Sequence, residues 1–315
     1  MYITAELKGN GFGNEFIQLA KLLICRKELG LPVLPAYWRS AYRSVIPSDL
    51  YFSNRMQRAL RLCADPVRFR TLRFDDAAHQ TTGKIPIQEA LSVFMQEHGL
   101  NGSRRTLIEF SGISPGLEAI ESHGVFLFEQ LLSAANITPL LNERFQGLDE
   151  DKLLVGVHIR RGDFRPPLPL GTAWPNKQWN IQIPLEWYEG VCQKLTEAFP
   201  GRVQLIVSTD QADHSMFRLC KRFQALLLTA GDSRMSPDVV DLLTLASCDA
   251  LIASASTFSG LAVIFKPKPW LWYPCAHGMP PWGREAGSLY LDEPQLPELF
   301  LTQAESTLRR KAEQV

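Results

Sequence analysis

The chain has little that would place it in a specialised class. Cysteine is sparse: six residues (Cys25, Cys63, Cys192, Cys220, Cys248 and Cys275) spread over 315, with no close pairs. That spacing excludes a zinc module and implies no disulfide framework, so the cysteines read as small core residues. Net charge is missing: 33 basic and 33 acidic side chains cancel. Binding to nucleic acid or to a membrane surface through bulk charge is therefore not expected. No run approaches the ~18 uninterrupted apolar residues of a membrane span. The opening MYITAELKGNG has no basic segment followed by an apolar run, so no signal peptide is expected and a cytoplasmic setting is. Internal repeats and low-complexity tracts are lacking too. What remains is an ordinary globular composition, 45% hydrophobic and 21% charged, long enough for two domains.

The most informative stretch is Leu153–Phe164, LLVGVHIRRGDF. Its apolar start reads as a core strand of a parallel sheet. It runs straight into His158, Arg160, Arg161, Gly162 and Asp163. In open α/β sheets, ligands bind just past the carboxyl ends of such strands. The planar, permanently charged guanidinium fork suits phosphate. This strand end is therefore expected to hold the diphosphate of a nucleotide sugar.

Around it, strand and helix patterns alternate. Tyr2–Leu7 reads as a strand, followed by a glycine turn (Gly9, Gly11, Gly13) and Asn14, a helix over Glu15–Leu29 stopped by Gly30, and a strand over Leu31–Leu34. This is a Rossmann-like opening, whose glycine turn is either a ligand-approach loop or a structural tight turn. The arginine-rich stretch from Arg39 to Arg73 reads as helical or loop-like, and is a solvated face or an acceptor groove. Strands are expected at Thr106–Phe110, Gly124–Leu127, Val203–Ser208, Ala225–Thr229, Leu251–Ala253 and Trp270–Tyr273. Helices are expected at Phe128–Asn136, Leu185–Phe199, Asp213–Phe223 and Val239–Cys248, with a small-residue turn over Ser254–Gly260. The loop from Arg165 to Asn180 carries Trp174 and Trp179, which either stack on sugars or anchor the loop. A polar segment, Asn142–Lys152, marks a boundary between domains at 1–150 and 151–315. The last helix is a candidate to pack back on the first domain. The class is α/β, with two Rossmann-like α/β/α domains facing a cleft.

Three pieces fall in order: Gly11-Phe12-Gly13-Asn14; His158-Ile159-Arg160-Arg161-Gly162-Asp163; and Asp241, leading to Ser256-Thr257-Phe258-Ser259. Together they resemble the inverting fucosyltransferases, especially the bacterial α-1,2 group. The resemblance implies a GT-B architecture, with GDP-fucose as donor substrate, a glycan or polysaccharide acceptor and no other cofactor. By similarity Arg160 would hold the β-phosphate and Arg161 would support it. His158 would contact ribose or guanine, and Asp163 would accept from Arg or orient the loop. Asp241 would pair with guanine, and Ser256, Thr257 and Ser259 would cradle phosphate. Asn14 would position the acceptor hydroxyl, with Gly11 and Gly13 shaping the turn. Asp241 also reads as a helix N-terminal charge, and the serines as caps.

Two departures touch the acceptor side: Gly260-Leu261 stands where the α-1,2 group has paired tryptophans, and Glu15 where it has Gln. Glu15 is either a general base or a first-turn helix charge. Neither Asp75-Asp76 nor Asp210 makes a D-x-D metal motif, so a metal-independent enzyme is expected, with Arg in place of Mg²⁺. A different nucleotide sugar on the same fold, or a non-catalytic relative, are the other readings. Arg161-Gly162-Asp163 also spells an adhesion tripeptide, but the preceding strand should place it inside a cleft.

Overall fold

The fold comes from a computed structural model that describes residues 1–5, 11–34, 50, 70–75, 85–100, 105–111, 116–135, 137–175, 180–228, 237–273, 287–288 and 296–313. The chain divides into two compact units, Met1–Ile137 and Thr138–Val315. Each is built on its own parallel sheet flanked in sequence by helices, which is the α/β class expected from the alternating pattern. Trp179, Cys63, Cys275 and the arginines from 39 to 68 lie outside the described residues.

The first unit runs β1 (Tyr2–Ala5), α1 (Phe12–Leu29), β2 (Arg70–Phe74), α2 (Ile87–Glu97), β3 (Thr106–Phe110) and α3 (Gly124–Ala135). Its strands are ordered β1-β3-β2, all parallel. Residues 32–34 lie along the other edge of β1, where Leu34 N–H donates to Ile3 O at 2.8 Å. Helix α1 begins three residues earlier than expected. Gly11, at φ 86°, makes the turn, and buried Phe12 stacks on Phe16 at 5.6 Å to anchor the first helical turn. Gly30, at φ 64°, ends the helix in the left-handed conformation that glycine adopts without strain.

Two sequence expectations are corrected here. The end of the arginine-rich stretch expected to be helical or loop-like is strand β2, paired in register with β3. Gly124–Leu127 is not a strand but the start of α3. Leu127, Phe128 and Leu131 are buried while Val125 is 55% exposed, a one-sided helical pattern. An apolar run of four fits either period; only the continuation decides.

The second unit runs α4 (Thr138–Phe145), β4 (Leu153–Ile159), α5 (Leu185–Ala198), β5 (Val203–Thr209), α6 (His214–Phe223), β6 (Leu226–Leu227), α7 (Pro237–Ser247), β7 (Ala250–Ile252), α8 (Thr257–Phe265), β8 (Trp270–Trp272), β9 (Gly287–Ser288) and α9 (Glu298–Ala312). Its six parallel strands are ordered β6-β5-β4-β7-β8-β9. Every residue of β4 is buried, as its continuous apolar run implied. From β4 the chain steps outward through β5 to β6, then returns to the other side of β4 for β7, β8 and β9. The order therefore reverses between β4 and β7. The expected turn over Ser254–Gly260 is a turn only as far as Ser256; from Thr257 onward it is α8.

Gly156, in the middle of β4, lets α7 approach the sheet. A Cβ there would lie 2.8 Å from Leu245 Cδ2, 3.1 Å from Leu251 Cδ1 and 3.4 Å from Cys248 Sγ. Leu245 and Leu251 are fully buried, so neither side chain has free space to enter. Gly156→Val is expected to cost about 1–3 kcal/mol, the usual penalty of overpacking a filled core, read as a lowered urea midpoint with an unchanged slope. The far end of α7 is held by Lys268, whose ammonium donates to the carbonyls of Leu245, Ala246 and Cys248. Helix α9 is fastened within the same unit: Lys311 Nζ lies 2.8 Å from Asp249 Oδ2 and donates to Lys152 O at 3.0 Å. Among the described residues no single helix is long and apolar enough to cross a membrane.

Candidate active site at the carboxyl edge of the second sheet

In a sheet whose strand order reverses, the two connections at the reversal leave in opposite directions. They open a crevice outside the carboxyl ends of the flanking strands. Here those strands are β4 and β7. His158 and Arg160 stand at the end of the first, and Ser254 to Ser259 follow the second.

His158 joins the two. Its Nδ1 lies 2.7 Å from Ser259 Oγ and 2.9 Å from Ser254 Oγ. Ser259 Oγ also accepts the Ser254 N–H at 3.0 Å. The imidazole is buried and packs at 4.8 Å against the Phe258 ring. Burial, reinforced by the neighbouring Arg160 charge, pushes its pKa down from 6.5 to about 3. It is thus neutral at any physiological pH, a fixed hydrogen-bonding group rather than a proton donor.

Ser256 caps α8: its Oγ accepts the Ser259 N–H at 3.4 Å, and its carbonyl accepts from Gly260 N–H. The amides of Thr257 and Phe258 are left at the positive end of the helix and donate no hydrogen bond to the described residues. Such amides, with the dipole behind them, favour an anion.

The arginines come next. Arg160 Nη2 is 2.8 Å from Asp163 Oδ1, and Nη1 is 3.1 Å from Asp210 Oδ2. Its guanidinium carbon sits 5.6 Å from the Phe164 ring centroid, and the side chain is 34% exposed. A guanidinium has five N–H donors; these two pairs leave about three for a ligand. Arg161 points elsewhere: Nη1 is 2.9 Å from Asp213 Oδ2. Asp213 Oδ1 in turn caps α6 by accepting from Ser215 and Met216 N–H. Arg161 thus ties the loop to a helix start. The loop beyond is pinned by Gln182, whose side-chain amide donates to Arg161 O and Phe164 O.

Asp241 sits on α7, one strand over. Its Oδ2 accepts from Ser208 Oγ at 3.2 Å, and Ser208 is the register partner of His158. Arg144 Nη2, from α4, lies 3.5 Å from Oδ1. Oδ1 is buried and accepts no hydrogen bond from the described residues. Burial raises the carboxyl pKa from 3.8 to about 6 against the opposing pulls of Arg144 and Ser208.

The structure therefore brings His158, Arg160, Arg161, Asp163, Asp241, Ser256, Thr257 and Ser259 to one edge of the second unit. Gly11, Gly13, Asn14 and Glu15 begin α1 in the first unit, with Gly13 and Glu15 buried. Trp174 is 5% exposed, which makes it an anchor beneath its loop and not an open platform for sugars.

No family model matches the chain, and no curated protein matches it. Solved structures do. NodZ α-1,6-fucosyltransferase soaked with GDP-fucose aligns at 16% identity over 84% of this chain and 93% of its own, with a TM-score of 0.45. The apo form of POFUT1 aligns at 16% identity over 85% and 96%, TM-score 0.49. The E. coli ADP-heptose lipopolysaccharide heptosyltransferase II aligns at 10% identity over 99% and 100%, TM-score 0.49. Likenesses at this level assign neither donor nor site residues.

Asp210, Asp213, Ser254 and Arg144 join the site although no motif announced them. Asp213 carried a signal, as the cap at an expected helix start. In the sequence Asp210 is only an aspartate that makes no D-x-D metal motif, and what gives it meaning is its neighbour across the sheet.

Proposed function

We propose that the protein is a metal-independent glycosyltransferase of GT-B architecture that moves fucose from GDP-fucose to a hydroxyl of a glycan or polysaccharide, with inversion. One observation carries this: at the strand-order reversal stand a partly exposed guanidinium, a neutral histidine and the amides of a capped helix start that donate to none of the described residues. Fixed donors without a general acid suit a leaving group that departs as an anion, and a nucleoside diphosphate is such a group. In this reading the acceptor oxygen bonds to the anomeric carbon as the bond to the diphosphate breaks. Arg160 takes the place of a divalent cation at the β-phosphate. Thr257 and Phe258 N–H, with Ser256, face the phosphates, and His158 meets the ribose or base; Ser259, expected to cradle phosphate, is fully buried with its N–H on Ser256 and its Oγ against Ser254 and His158, so it supports the cradle from behind. Asp241 accepts from guanine; its buried, undonated Oδ1 and its ion-paired partner Arg144 are what a purine N–H pair would complete. Arg161 holds the loop. Asn14 positions the acceptor hydroxyl, and Asp163 and Glu15 are the carboxylates proposed for its proton.

The test is ligand-dependent protection against heat. GDP and GDP-fucose at a hundredfold excess over Kd are expected to add about 2.7 kcal/mol of apparent stability, while UDP and UDP-sugars leave the melting temperature unchanged. Equal protection by UDP-sugars would move the donor to another nucleotide. Protection by GDP-fucose with neither transfer nor hydrolysis would leave a binding protein.

A further inference from the structure

Asp210 stands immediately after β5. The register that pairs Ile159 with Thr209 sets it beside Arg160. Its carboxylate accepts two consecutive amides of the arginine loop, Arg161 N–H at 2.8 Å and Gly162 N–H at 3.0 Å. Its Oδ2 is also 3.1 Å from Arg160 Nη1. Successive amides and a guanidinium make a concave receptor for an anion, and here the anion is a side chain of the protein itself. Gly162 records how tightly it fits. A Cβ at 162 would meet Asp210 Oδ2 at 2.8 Å and Cγ at 3.3 Å. Gly162 is not among the residues with positive φ, so its backbone does not require glycine; a side chain there would instead have to push the Asp210 carboxylate out of its place. The other partner of Arg160, Asp163, is 67% exposed, and an exposed pair of this kind holds a side chain weakly.

We infer that Asp210 is the positioning residue of the arginine loop: it fixes Arg161 and Gly162 by their amides and presets the Arg160 fork toward the donor's diphosphate. This rests on the proposed donor reading. With the fork already in place, little ordering is left for the moment when charge develops on the leaving group. Loss of Asp210 should therefore fall on kcat more than on KM.

The experiment compares Asp210→Asn, Asp210→Ala, Gly162→Ala and the double variant Gly162→Ala/Asp210→Ala, reading melting temperature, amide exchange at residues 161 and 162, and kcat and KM with GDP-fucose. Asn keeps the shape but turns an N–H toward an N–H. Asp210→Asn is expected to lower kcat about a hundredfold, the cost of misplacing a group by about an ångström, with KM changed much less and the two amides exchanging faster. Gly162→Ala alone is expected to do comparable damage. Added to Asp210→Ala it should do almost nothing further, because the atom it strikes has gone. An equal Gly162→Ala penalty in both backgrounds, or wild-type kcat in Asp210→Asn, would overturn the inference. If no GDP-sugar is turned over, the donor reading fails by itself, and the same coupling read in melting temperature and amide exchange still decides whether Asp210 holds the loop.

Discussion

Arg160→Ala is expected to lower fucosyl transfer about a thousandfold or more, the scale seen when a charge-stabilising group is removed from a departing phosphate, and to weaken GDP binding with it. The local charges make this more than a matter of attraction. Arg160 and Arg161 stand among Asp163, Asp210 and Asp213, so the loop carries no excess positive charge at rest. Donor binding must come from specific N–H groups, and those are the guanidinium donors that Asp163 and Asp210 leave unused. Asp163 is mostly exposed, so a diphosphate can displace it, whereas Asp210 is held by two amides and stays. Arg160→Lys should recover little, because an ammonium keeps the charge but loses the planar fork. Neither substitution should unfold the protein, since partly exposed pairs contribute about 0–1 kcal/mol each; an unchanged melting temperature is the control. Turnover within tenfold of the wild type would remove Arg160 from the reaction and the fucosyltransferase reading with it.

The sequence made the parts of the second unit legible and left their assembly hidden. Leu153–Val157 could be read because a strand covered on both faces is apolar at almost every position; the structure carries the strand on through His158 and Ile159 and buries all seven residues. The start of α6 was visible because Asp213 caps it. Helix α2 went unread although Ile87, Ala90, Leu91 and Phe94 are buried at helical spacing; its start at Pro86 has no side-chain cap to announce it. Helix α4 buries only Leu141, so it has almost no apolar stripe. One contact that fixes it, Arg144 to Asp241, spans nearly a hundred residues. The same holds for the site. His158, Arg160 and Ser256 could be named from local runs, but that β4 lies between β5 and β7 is a property of strand order, which no local pattern encodes. Asp210 is about fifty residues from the amides it accepts, and only the parallel register of β4 and β5 makes them neighbours.

Asp241→Asn is expected to weaken GDP binding about ten- to a hundredfold, the value of one hydrogen bond to a charged acceptor, and to leave the much weaker binding of UDP unchanged. A carboxylate offers two acceptor oxygens to the adjacent N–H groups of guanine; an amide offers one acceptor and sets a donor against the other N–H. The loss is therefore one of discrimination between bases as well as of affinity. The same group makes the wild-type protein pH-dependent. In the free protein the Asp241 carboxyl titrates at about 6, raised mainly by burial. A bound guanine, donating to the charged form, must lower that value. Affinity for GDP-fucose, whose diphosphate unlike the terminal phosphate of GDP does not titrate near 6, is then full well above pH 6 and falls with acidification, by up to tenfold per pH unit, until the pKa of the complex is passed. In Asp241→Asn the step near pH 6 for this ligand should vanish. Titrations by calorimetry between pH 5 and 8 check both points: a wild-type affinity that is flat over that range, or an Asn variant that keeps the step, would take guanine recognition away from Asp241 and return it to a structural pair with Arg144.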